Sequence, residues 1–162
     1  MLIIAQNLQQ LSFSALMDVY IEGNLEKAHD EYGDFPEYVG LQQAEQYFYQ
    51  FLRECFFRTP GAQYAVWEER GKYLSAVRWE PYSDGVLISA LETNPKYRGK
   101  GYAVSMLNQL LPMLKGPVYS HVEKKNMASL AVHRKCGFEI INDHARYLDG
   151  SVNSRAYTLR RK

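Results

Sequence analysis

Between Ala62 and Thr93 the chain reads as three short strands, AQYAVWEE, KYLSAVRWE and VLISALET, separated by turn signals at Arg70-Gly71 and Ser83-Asp84-Gly85. Strands joined by such short turns pair antiparallel. The next element is different: from Tyr102, Ala103, Met106, Leu107, Leu110, Leu111 and Leu114 recur on one face of a helix. Another short strand, VYSHV, follows Gly116-Pro117. A strand–helix–strand crossover makes its two strands parallel. The third strand, apolar on both faces, belongs near the middle of the sheet. These segments therefore predict an α+β (mixed α/β) fold, a mostly antiparallel sheet with one parallel strand pair and helices on both faces.

The remaining chain fits that frame. LIIAQ reads as a first strand, and Ser14 to about His29 and Leu41 to Phe57 carry apolar residues at helical spacing, with a loop, EYGDFPEYVG, between them. Pro112 weakens the last turn of the crossover helix. Asn126 to Lys135 reads as a further helix with Gly137 at its C-terminal end, and FEIINDHARYL and SRAYTLRR as two last strands joined through Asp149-Gly150. The final hairpin offers an edge at which two copies can pair as a homodimer.

The chain has 162 residues, 46% of them hydrophobic, which suits one domain over residues 1–162. Nineteen basic residues balance eighteen acidic ones, so neither nucleic acid nor an anionic membrane is an expected partner. MLIIAQNLQQ carries no charged leader and no membrane-length apolar run, and a soluble cytoplasmic protein is expected. Cys55 and Cys136 are expected as two buried free thiols, and no metal is expected.

The stretch PKYRGKGYAVSML bears most directly on function. A turn that leaves a central strand and opens a helix points unpaired N–H groups, and the positive end of the helix dipole, in one direction. Gly99 and Gly101 permit close approach, Arg98 and Lys100 add charge, and the whole suits a phosphate. A solvated surface turn is the other reading of the same residues. Neither the Gly-Lys-Ser/Thr ending of a Walker loop nor dinucleotide-binding glycine spacing is present.

Arg98-Gly-Lys-Gly-Tyr-Ala103 resembles the Arg/Gln-x-x-Gly-x-Gly/Ala signature of the GNAT superfamily of N-acetyltransferases. Asn126-Met-Ala-Ser-Leu-Ala-Val-His-Arg-Lys-Cys-Gly-Phe138 resembles the second cofactor motif of that family, in the right order and spacing. The resemblance implies acetyl-coenzyme A as cosubstrate. Arg98, Gly99, Lys100, Gly101, Tyr102, Ala103 and Val104 would cradle its pyrophosphate. Backbone from Leu91 to Thr93 would meet the pantetheine and the developing oxyanion, with Asn126 and Ser129 supporting the pantetheine arm. It also implies transfer of acetyl to a primary amine of a small molecule, polyamine or peptide N-terminus by direct attack in a ternary complex. A coenzyme A-binding module without turnover is the alternative.

Amine attack on a thioester calls for a general base, an oxyanion donor and an acid for the sulfur. The family commonly places a tyrosine acid where this chain has His133, which shares a helix face with Asn126 and Ser129. His121 stands five residues before Asn126, where ribosomal-protein N-terminal acetyltransferases of the superfamily carry a glutamate base. Glu92 is the competing base, and one step of strand register decides whether it faces the cleft. The Asp30 to Phe35 segment, acidic and aromatic, is expected to line the entry of a cationic amine.

Overall fold

The computed structural model describes residues 1–162 and opens with a short strand, β1 (Leu2–Ala5), followed by three helices, α1 (Phe13–Val19), α2 (Ile21–Tyr32) and α3 (Glu37–Phe51). Ser12 caps α1 by accepting the N–H of Ala15, and the last residues of α3 widen into a π turn over Leu52–Phe56. The single helix expected from Ser14 to His29 is thus two, broken at Tyr20 (φ −97°, ψ 15°). The loop expected around Glu31 is also shorter, because α2 continues to Tyr32 and α3 starts at Glu37. The first difference arises because amphipathic spacing continues across a one-residue break.

Strands β2 (Gln63–Glu69), β3 (Lys72–Tyr82) and β4 (Gly85–Thr93) form the expected antiparallel meander. Helix α4 (Tyr102–Leu110) follows, and at Pro112 the chain passes into a short 3₁₀ turn, since proline has no N–H to continue the α-helical ladder. After α4 come β5 (Val118–Glu123), α5 (Met127–Lys135) and β6 (Glu139–Asn142). The small strands β7 (Ala145–Arg146) and β8 (Val152–Asn153) precede β9 (Ala156–Arg161). Seven strands make one sheet in the order β1-β2-β3-β4-β5-β9-β6, with β4 in the middle as its apolar faces require. Only β4 and β5 are parallel.

FEIINDHARYL is not one strand. It supplies β6 to the main sheet and then β7, which pairs with β8 across the predicted Asp149-Gly150 turn as a separate two-stranded hairpin. Gly150 takes φ +87°, which few other residues accept there.

The two faces of the sheet bury separate cores. On one, α1 and the end of α3 cover Tyr64, Val66 and Ala76; on the other, α4 and α5 cover Val77, Trp79, Ile88, Val118 and Leu159. Met106, Leu107 and Leu110 of α4 are fully buried in the second core. Each such side chain contributes about 1.5–3 kcal/mol relative to exposure. Cys136 is buried there as expected, whereas Cys55 is exposed on the π turn; both are free thiols. No helix is long and apolar enough to cross a membrane.

Candidate active site

Parallel pairing of β4 with β5 is confined to Val86–Val118, Leu87–Tyr119 and Ile88–Ser120. Beyond Ile88 the strands diverge, and the backbone of β4 up to Thr93 is unpaired on that side. An irregularity drives part of this: Ala76 pairs with Glu92 but Arg78 with Ser89, so β4 carries one extra residue. Ala90, at φ +54°, forms the bulge.

The gap opens into a cleft of about 600 Å3 lined by Leu91, Glu92 and Thr93 on one side and by Asn126, Ser129 and Lys135 of the α5 end on another. Its floor is the turn into α4. Gly99 and Gly101 take φ +78° and +80°, and at each a Cβ would meet nothing within 4 Å. Gly101 precedes α4 with no side-chain cap, and the first helical N–H to reach a carbonyl is that of Ser105, bonding Gly101. The N–H groups of Tyr102, Ala103 and Val104 are therefore free at a helix N-terminus, a ready place for an anion. Of the segment Arg98–Val104, only Lys100 stays outside the cleft, its ammonium 6.0 Å from the Tyr97 ring centre.

Arg98 faces an unexpected partner. Its guanidinium donates to both carboxylate oxygens of Glu22 on α2, at 2.9 and 2.7 Å, and lies 3.9 Å from Glu92. Glu22 has no motif to announce it, and only the packing of α2 beside the turn brings it to the cleft. Lys135, which lies within the second motif, is a further lining cation.

Glu92 faces the cleft, with its carboxyl held above the usual carboxylate range by burial, against the pull of Arg98. Asn126 caps α5 by accepting the N–H of Ser129 at 3.0 Å, and both residues line the cleft.

His133 does not join them. It is 1% exposed and lies under the sheet, its ring 5.0 Å from that of Phe138. Nδ1 donates to the Ser129 carbonyl at 2.7 Å, which leaves Nε2 to accept the Ser120 hydroxyl at 2.8 Å. Burial lowers its proton affinity, so the expectation that it takes the place of the family's cleft-facing acid is corrected to a neutral core histidine. The helix face shared by Asn126, Ser129 and His133 turns from cleft to core within its two turns.

His121 lies on the opposite sheet face. Ser120 points to α5, so the alternation of β5 turns His121 to the side of Ala76 and Glu92. Its ring is 5.6 Å from Tyr82 and 5.0 Å from Tyr147 of the β7–β8 hairpin. That hairpin is tied down by Tyr82, whose hydroxyl donates to the Arg146 carbonyl, and by Thr158, which donates to the His144 carbonyl. Both ring nitrogens of His121 are buried without a hydrogen-bond partner, and burial lowers its proton affinity. The Asp30–Phe35 segment does not contribute to the cleft.

The family model described as the acetyltransferase (GNAT) family matches residues 25–138, well over half of the chain. The N-alpha-acetyltransferase RimI of Mycobacterium tuberculosis is 35% identical over 75 residues, covering 46% of this chain and 47% of that protein. The match thus spans less than half the length of that curated relative. Among solved structures, the PaiA N-acetyltransferase of Thermoplasma acidophilum, in complex with coenzyme A, superposes with a TM-score of 0.65 at 13% identity, over 100% of this chain and 99% of that one. The ribosomal-protein-S18-alanine N-acetyltransferase of Escherichia coli gives 0.58 at 16% identity, over 99% and 93%.

Proposed function

The chain belongs to the GNAT acetyltransferase family, and from that premise we propose that it transfers an acetyl group from acetyl-coenzyme A to a primary amine on a small molecule, a polyamine or a peptide N-terminus. The observation that carries this reading is the opening between β4 and β5, which leads from unpaired β4 backbone to the free N–H groups of α4. The relatives' printed activities, all N-acetyl transfer, agree with it.

Acetyl-coenzyme A supplies a thioester, an acyl group activated toward amine attack. The N–H groups of Tyr102, Ala103 and Val104, reached past Gly99 and Gly101, hold its pyrophosphate, and Lys135 adds charge nearby. Asn126 orients the α5 side of the cleft. Unpaired N–H groups between Leu91 and Thr93 stabilise charge developing on the carbonyl oxygen. Glu92 accepts the amine proton on its carboxylate as the C–N bond forms and the C–S bond breaks, and coenzyme A leaves as its thiolate; the raised proton affinity of Glu92 brings it closer to the operating pH than an ordinary glutamate. Glu22 and Glu92 flank Arg98, and the net negative charge of the three gives the acceptor side a negative lip suited to a cationic amine.

His121 stands on the same sheet face across the gap, neutral and with both nitrogens free to accept or donate. It is the second base, behind Glu92 because it lies under Tyr147 rather than in the cleft. His133, in the core, holds α5 against β5 and takes no proton from the reaction.

A panel of amines with acetyl-coenzyme A, read by release of free thiol, tests the function. Transfer to at least one primary amine is the expected result. Cofactor binding without transfer to any would leave a coenzyme A-binding module instead.

A further inference from the structure

The bulge at Ala90 sets which way Glu92 faces. Side chains alternate along a strand, so without an extra residue Glu92 would share the face of Ile88, which packs under α4. With the extra residue, Leu91 takes that face and Glu92 turns to the other, opposite Ala76. The bulge needs Ala90 at φ +54°, a conformation unfavourable for any residue with a Cβ. Something must hold it.

We infer that Tyr20, fixed by Tyr64, is a positioning residue that holds this bulge and so aims Glu92 at the reacting groups. The Tyr20 hydroxyl donates to the Ala90 carbonyl at 2.7 Å. The Tyr64 hydroxyl donates in turn to that of Tyr20 at 2.6 Å. Tyr20 is 7% exposed and Tyr64 0%, so water does not compete for either bond. Tyr20 sits at the break between α1 and α2, and Tyr64 lies in β2, two strands from β4. The relay therefore joins the helical cap to the sheet at the residue whose backbone is strained. The rings pack in the first core whether or not they carry hydroxyls, so packing alone does not call for two tyrosines here.

The inference rests on the proposed role of Glu92, and the test separates the two. Tyr20→Phe keeps the ring and removes the donor. It is expected to lower kcat about tenfold while leaving KM for acetyl-coenzyme A nearly unchanged, since a small misplacement of a reacting group is costly to turnover. In a Glu92→Gln background the same change should have little further effect. Ala90→Gly, which accepts the positive φ freely, should restore much of the loss in a Tyr20→Phe/Ala90→Gly double variant. Hydrogen exchange at the amides of Leu91 to Thr93 should quicken in Tyr20→Phe. Wild-type kcat in Tyr20→Phe, or an equal loss in the Glu92→Gln background, overturns the inference while transfer itself stands. If the wild-type chain acetylates no amine, the functional reading falls and hydrogen exchange alone decides: unchanged exchange in Tyr20→Phe overturns the relay.

Discussion

The floor of the cleft and its acceptor face are built in opposite ways. The floor, from Arg98 to Val104, consists of consecutive residues whose work is done by backbone torsion and a helix end. The proposed acceptor face is assembled from distant places: Glu22 from α2 and Glu92 from a bulged strand, with His121 of β5 and Tyr147 of the β7–β8 hairpin beside each other outside the cleft. A local device survives in a short motif, whereas a dispersed one varies with every element that feeds it. Within one fold, the cofactor end is therefore held constant more readily than the acceptor end.

Substitutions at the two ends should separate them. The largest effect is expected on the acceptor face, where Glu92→Gln should lower kcat by roughly 10²- to 10⁴-fold, the usual worth of a general base. Acetyl-coenzyme A binding measured by calorimetry should remain. The rising limb of the pH profile should vanish in this variant and persist in His121→Ala. Glu92 has a raised and His121 a lowered proton affinity, which brings the two toward each other, and loss of the limb rather than its position identifies the base.

At the floor, Gly101→Val places a branched side chain at φ +80° and should weaken acetyl-coenzyme A binding roughly 10- to 100-fold, from a strain of about 1–3 kcal/mol. Turnover at saturating cofactor should fall far less. Equal effects of Gly101→Val and Glu92→Gln on binding would erase the division between floor and face.

His133→Phe tests the residue that belongs to neither. It leaves the Ser120 hydroxyl without its acceptor and should cost about 1–3 kcal/mol of stability in urea unfolding, with kcat essentially unchanged. The folded protein holds His133 neutral, so the unfolded chain binds its proton first as the pH falls. Stability should therefore drop below about pH 6.5, where an unfolded histidine protonates, and the drop should be shallower in His133→Phe. A large loss of kcat at full stability would return His133 to the reaction.

The smallest effect is expected from Glu22→Gln, since both partners of the Arg98 pair are well exposed; the change in stability should stay below about 1 kcal/mol. Its informative reading is KM for a cationic amine against that for a neutral one, which rises selectively if Glu22 forms part of the negative lip.

Much of this protein was decided by its sequence alone. Period, turn residues and the crossover helix set the meander, the central place of β4 and the parallel pair, because strand alternation, helical spacing and tight-turn chemistry all act over a few neighbouring residues. The glycine turn was legible for the same reason. Tertiary structure decided which side chains meet. The bulge at Ala90 and the direction of Glu92 depend on a hydroxyl relay whose Tyr20–Ala90 link joins residues 70 positions apart. His133 shares a helix face with Ser129, yet Ser120 and Phe138, brought beside it by the fold, turn it into the core. Contacts of that range leave no period in a chain, and the acceptor face is made of them.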